Sequence, residues 1–296
     1  MNSKKRLNIL MADDGSQHAQ SAVDLLRKLS LPPRSRIWVL RVFTPGQISS
    51  IPEFERSLEK TKKHFLNAGI DTGTDLLLGS PAEKIIEIAE EKKSDLIVLG
   101  AKGLRATLGI LLGGVAQQVV EYAHCPVLVV RAPFEGLRRI LVVTDGSADS
   151  QYAARYLCKF PLPEKVDVHV MHVMPPLESP LLMEPVLGGW QTIYIPVLPE
   201  EETEKNSIKQ KRKGQTLLDR TCELLRRNGV ESTPVLGEGD AATEIIEYVK
   251  SNDIDLIVTG SRGLSQFKSW WIGSVSRKLV HYSNCSVLIV KRPKKE

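Results

Sequence analysis

Long apolar runs, closely spaced cysteines and aromatic residues are what this chain of 296 residues has little of. No run approaches the ~18 apolar residues that a membrane helix needs. The apolar residues 9–12 follow a basic cluster at 4–6 but give way at once to Asp13 and Asp14, too short for the core of a secretory signal. Cys125, Cys158, Cys222 and Cys285 form no CxxC, and no two stand closer than 33 positions, so neither a zinc site nor a disulfide framework is indicated. A reducing compartment suits them. A cytoplasmic protein without membrane association is expected. The net charge of +5 is mild, and its clusters at 4–6, 211–213 and 291–295 fall at the ends or on one helical stretch, so nucleic acid is not expected as a partner. With 42% apolar and 25% charged residues, the composition is that of a folded globular chain.

What the chain does have is internal repetition. Residues 9–26, ILMADDGSQHAQSAVDLL, align without a gap on residues 140–157, ILVVTDGSADSQYAARYL, at an offset of 131. Further on, residues 79–100 match 239–260 and residues 125–133 match 285–293, both at an offset of 160. The second copy therefore carries 29 extra residues, roughly 177–206, rich in proline and leucine. Two tandem domains follow, residues 1–133 and 138–296, with 134–137 as the linker.

Within the first copy, short two-sided apolar runs at 8–12, 37–43, 75–78, 96–99 and 127–130 read as buried parallel strands. Between them, residues 16–29, 53–68, 81–92 and 115–122 read as helices, with Ser80 as a cap and Pro81 in the first turn of the third. Strands alternating with helices predict a doubly wound α/β sheet with right-handed crossovers.

In such sheets ligands bind beyond the carboxyl ends of the strands. GSRG begins there, at Gly260, and Gly260 and Gly263 are expected to take positive φ and to let backbone N–H groups approach a ligand. Gly273–Ser274 stands directly before a helix, where unpaired N–H groups and the dipole favour phosphate. The spacing G-x-x-G, nine residues, G-S, together with TDGS at 144–147 and VLIV in the last strand, resembles the ATP-binding signature of the universal stress protein family. The resemblance covers nearly the whole chain, twice.

That resemblance implies two domains of the adenine nucleotide alpha hydrolase-like fold, each with five parallel strands in the order 3-2-1-4-5, paired through their last strands. It implies ATP as the ligand, with Mg as its counter-ion. Asp145 would meet the adenine, Val173 would pack on the adenosine, and Gly260, Arg262 and Gly263 would line ribose and phosphates. Gly273, Ser274 and Val275 would donate N–H groups, with the hydroxyls of Ser274 and Ser276 as further ligands. In the first copy Asp14, Val42, Gly100, Lys102, Gly103 and Gly113 occupy the matching places. There, however, Gly114 replaces Ser274 and Ala116 replaces Ser276. Two missing hydroxyl contacts, each about 0.5–1.5 kcal/mol, would weaken that site by an order of magnitude or more. The second copy is expected to hold the competent site. Capping of a helix by Asp145 and Ser147 is the alternative reading of TDGS.

Other candidates carry less. His169 and His172, three apart on a strand, face opposite ways; His172 reads as a strand-end residue whose counterpart is Arg41. Lys268, Trp270 and Trp271 could touch a ligand, and Cys125 and Cys285 read as buried apolar residues. The chain has no G-x-x-x-x-G-K-[ST] and no G-x-S-x-G, so the resemblance allows slow ATP hydrolysis or autophosphorylation at most. The expected function is that of an ATP-binding stress-response regulator. A nucleotide-independent scaffold or chaperone-like member, working through protein contacts, is the alternative. A homodimer and an unidentified protein partner are compatible with either.

Overall fold

The computed structural model describes residues 6–103, 112–176, 200–263 and 272–293, the side chains of 200–203 excepted. Both halves begin alike. Strand β1 (Asn8–Ala12) passes through Ser16 into α1 (Gln17–Lys28), and the Ser16 hydroxyl accepts from the Ala19 N–H at 3.1 Å. In the second half β6 (Arg139–Val143) passes through Ser147 into α5 (Ala148–Leu157), where Ser147 accepts from the Ser150 N–H at 3.2 Å. The first half continues with β2 (Arg36–Phe43), α2 (Ile51–Leu66), β3 (Asp71–Leu78), α3 (Pro81–Glu91), β4 (Leu96–Gly100), α4 (Gly114–Tyr122) and β5 (Val127–Val130). The second continues with β7 (Asp167–Met174), α6 (Glu200–Arg227), β8 (Thr233–Glu238), α7 (Ala241–Ser251), β9 (Leu256–Gly260), α8 (Ser274–Tyr282) and β10 (Ser286–Val290).

The strands form one ten-stranded sheet in the order β3-β2-β1-β4-β5-β10-β9-β6-β7-β8. Each half therefore has the order 3-2-1-4-5, and every pairing within a half is parallel. Alternation along the strands sends Ile9, Met11, Ile37 and Val39 to one face, against Leu25 and Leu26 of α1 and Phe65 of α2. Leu10, Leu40 and Ile97 go to the other, against Ile85 of α3 and Val119 of α4. Each core runs on into the second half.

Helix α2 begins and ends two residues before the expected 53–68, and three further features differ from the sequence expectation. Strand β3 starts at Asp71, four residues early, because the polar segment Thr72–Thr74, buried only at Thr72, is drawn into the ladder by β2 and not by its own apolarity. Ser80 occupies the cap position of α3 without a capping hydrogen bond, whereas its counterpart Asp240 accepts from the Thr243 N–H at 3.0 Å. Part of the extra segment 177–206 is helix: α6 is 28 residues long against 16 for α2 and takes in residues 200–206. The rest of that segment, with Lys268, Trp270 and Trp271, lies outside the described residues. No described helix is long and apolar enough to cross a membrane.

The halves join through their last strands. β5 and β10 are antiparallel, with Leu128 opposite Leu288 and Val129 opposite Val287, so the local twofold axis passes beside the two leucines. Both leucines are fully buried. Burial of each is worth about 1.5–3 kcal/mol, so the edge that a lone domain would expose is covered within the chain. The residue after each strand crosses the junction. Arg131 Nη2 donates to the Val280 carbonyl at 2.7 Å, and Lys291 Nζ donates to the carbonyls of Ala123 at 2.6 Å and Glu121 at 3.0 Å. Each cation thus satisfies the last carbonyls of the other half's final helix. Burial pushes the Lys291 ammonium down to about 8.

Candidate functional site

In the second half four segments meet at the carboxyl end of the sheet. The turn Thr144–Ser147 leaves β6 with Gly146 at φ +79°. Asp145 Oδ1 accepts from the Ser147 N–H at 2.9 Å, which sets the carboxylate as a small turn of its own. The Ser147 hydroxyl, besides capping α5, reaches the Arg262 carbonyl at 3.5 Å and so ties this turn to the segment after β9. That segment is closed onto α8 by the Gly273 N–H, which donates to the Ser261 carbonyl at 2.8 Å. Gly273 then serves as the N-cap of α8 without a side-chain bond, so the N–H groups of Ser274, Val275 and Ser276 have no intrahelical acceptor.

These segments enclose a cavity of about 250 Å³ whose wall includes Asp145, Val173, Gly260, Arg262, Gly263, Gly273, Ser274, Val275 and Ser276. The nine residues singled out in the second copy are thus brought to one place. Thr144, His172, Ala241 and Ile245 also line it. Sequence reasoning passed over Ala241 and Ile245, although their place in the helix after GD, which matches GSP in the first copy, put them at the same end of the sheet.

The glycines do a different job from the one expected. Neither Gly260 nor Gly263 takes a positive φ. A Cβ on Gly260 would sit 2.7 Å from the Asp149 backbone, so this glycine lets α5 pack against the end of β9. A Cβ on Gly263 would sit 2.8 Å from Asp145 Oδ2. Gly263 therefore makes room for the carboxylate of the TDGS turn. The first half repeats both constraints: a Cβ on Gly100 would meet His18 Cβ at 2.7 Å, and one on Gly103 would meet Asp14 Oδ2 at 2.6 Å. Positive φ falls instead on Gly15 and Gly146, inside DGS.

Ser276 also departs from expectation. Its buried hydroxyl donates to the Gly260 carbonyl at 2.8 Å and lies 3.3 Å from Thr259 Oγ1, so it fastens α8 to β9. The corresponding pair in the first half is Leu99 and Ala116, both buried. The polar pair has become an apolar pair as a unit. Ser274, by contrast, is exposed at the mouth. The two copies therefore differ by one available hydroxyl and not two.

In the first half Asp14, Val42, Gly100, Lys102, Gly103 and Gly113 share a cavity of about 420 Å³ with Arg41, Thr44, Gln47, Phe54, Ile85 and the start of α4. The same ties hold it: Ser16 Oγ donates to the Lys102 carbonyl at 3.1 Å, and the Gly113 N–H donates to the Ala101 carbonyl at 2.8 Å. Cys125 and Cys285 are buried, and burial pushes both thiols up to about 12, in keeping with apolar packing.

A helix N-terminus whose first N–H groups have no acceptor among the described residues, facing a carboxylate turn across the end of a doubly wound sheet, is an arrangement suited to an anionic ligand. The model of the universal stress protein family matches residues 5–131 and again 136–291, and the chain belongs to that family. A universal stress protein of Methanocaldococcus jannaschii is 39% identical over 133 residues, covering 44% of this chain and 74% of its own. One from Thermus aquaticus is 37% identical over 133 residues, covering 42% of this chain and 97% of its own. Among solved structures, a universal stress protein from Archaeoglobus fulgidus superposes with a TM-score of 0.65 at 20% identity, covering 99% of this chain and 100% of that one, which shows the shared fold.

Proposed function

We propose that this protein is a cytoplasmic ATP-binding regulator of the stress response, with the second-half cavity as its nucleotide site. The observation that supports this best is the convergence of Asp145, Gly260, Gly263, Gly273 and the first N–H groups of α8 on one cavity. The residues fit the ligand. Three N–H donors at a helix start and the exposed Ser274 hydroxyl suit phosphate oxygens. Gly263 keeps the space over Asp145 clear, and the Asp145 carboxylate suits hydroxyl or amino donors of a nucleoside. Mg would come with the triphosphate as its counter-ion; among the described residues no group of three or more His, Cys, Asp or Glu is placed to hold a metal.

Mass spectrometry of freshly purified, denatured protein should release ATP in a ratio to chain that falls in the Gly263→Val variant. Protein that purifies empty and shows no heat of binding with added ATP would leave the scaffold reading in its place. Turnover of ATP well above background would make it an enzyme.

A further inference from the structure

The two cavities differ most at the end of their second strands. In the second half His172 Nδ1 lies 2.9 Å from the Thr144 carbonyl. A carbonyl only accepts, so a neutral ring donates from Nδ1 and keeps Nε2 as an acceptor. In the first half the corresponding residue is Arg41, only 6% exposed. Its Nη2 donates to the Asp14 carbonyl at 2.6 Å, and its guanidinium stacks 4.3 Å from the centre of the Phe54 ring. Among the described residues no carboxylate lies within ion-pair distance of it. Beside it on the cavity wall, Gln47 Oε1 accepts from Thr44 N–H at 3.0 Å and Thr44 Oγ1 at 3.1 Å. That fixes the amide orientation and leaves Gln47 Nε2 as a donor. Where the second half carries an acceptor, the first half carries a cation and an amide that can only donate.

A buried cation without a counter-ion is costly unless something supplies acceptors. We propose that the first-half cavity is a second nucleotide site selective for a 6-oxopurine base, guanine foremost, while the second half takes adenine; this rests on the nucleotide reading above. Guanine presents two acceptors side by side, N7 and O6, which match the guanidinium fork, whereas adenine presents N7 beside an amino donor that Arg41 and Gln47 would repel. The start of α4 on the same wall supplies N–H groups for the phosphates, as α8 does in the other half. The chain would then report on adenine and guanine nucleotides at separate sites.

The test is calorimetric titration of the full chain with GTP and with ATP, in the wild type, in Gly263→Val to silence the second half, and in Gly263→Val with Arg41→His. GTP should bind the silenced chain roughly tenfold to a hundredfold tighter than ATP, and Arg41→His should erase that preference. The reciprocal His172→Arg in the otherwise intact chain should raise GTP affinity in the second half, which keeps the test valid where Arg41→His fails to fold. ATP equal to or tighter than GTP in the silenced chain with Arg41 present overturns the base assignment. So does a first half that binds neither nucleotide while the wild type binds ATP. A wild type that binds no nucleotide at all fails at the earlier reading instead.

Discussion

Replacing Lys291 with methionine should change how stability depends on pH, and the size of the change follows from the junction. The ammonium is buried against the Ala123 and Glu121 carbonyls, and burial holds its titration near 8 instead of the ordinary 10.5. The native chain gives up this proton before the unfolded chain does, so above pH 8 the unfolded state binds more protons and stability rises with pH. Below pH 8 both states are protonated and no slope arises from this group. Between pH 7 and pH 9 the linkage contributes about 1 kcal/mol of added stability, growing to roughly 3 kcal/mol by pH 10.5. The buried thiols act in the opposite sense: Cys125 and Cys285 titrate near 12 when folded, so stability is lost above the free thiol value of 9.0. Wild type and variant share these thiols, so the difference between the two proteins isolates Lys291, and pH 7 to 9 serves as the window. Urea melts at both ends of it should show the wild-type midpoint rising relative to Lys291→Met by roughly 0.3 M, for a slope of about 3 kcal/mol/M. Methionine keeps the apolar stem, so packing is largely retained. Parallel pH dependences in the two proteins would refute the reasoning.

Gly263→Val should cut nucleotide binding in the second half by more than tenfold while leaving the fold intact, since the added branch collides with the Asp145 carboxylate at an exposed position; calorimetry with circular dichroism on the same sample checks both. Ser276→Ala should cost about 1–3 kcal/mol of stability with little change in affinity, because its hydroxyl is bound to the Gly260 carbonyl. Adding Thr259→Leu, which recreates the Leu99 and Ala116 pair of the first half, should restore most of the loss in thermal melts. Ser274→Gly should instead weaken ATP binding about threefold to tenfold with stability nearly unchanged.

Most of the architecture was legible because it rests on short-range patterns. The apolar runs located the central strands and the offsets of 131 and 160 exposed the duplication, while the pairing of β5 with β10 followed from the family resemblance. What was misread depends on contacts between distant residues. Gly260 and Gly263 read as sites of unusual backbone torsion, yet their constraint comes from Asp149 and Asp145, more than a hundred positions earlier. Ser276 read as a ligand through the family resemblance, and only the position of the Gly260 carbonyl shows its hydroxyl turned inward. The start of β3 was missed because its ladder is supplied by β2. Arg41 was recognised as the counterpart of His172, but its burial without a carboxylate in ion-pair reach among the described residues is a tertiary fact.

Antiparallel pairing at the centre of the sheet has a geometric consequence for the two cavities. All strands of one half run opposite to all strands of the other, so the carboxyl ends, and the cavities beyond them, lie at opposite edges of the sheet. No ligand in one can touch a ligand in the other. From each cavity one helix reaches back to the junction, α4 in the first half and α8 in the second, each nine residues long, about 13 Å. The start of each helix lines the cavity of its own half, and its end is held by the cation of the other: α4 by Lys291, α8 by Arg131. A cation at the carboxyl end and an anion at the amino end both complement the same helix dipole, each by about 0.3–2 kcal/mol. Duplication within one chain therefore does more than cover two strand edges, because it places a charged residue of each half at the far end of the helix that lines the cavity of the other.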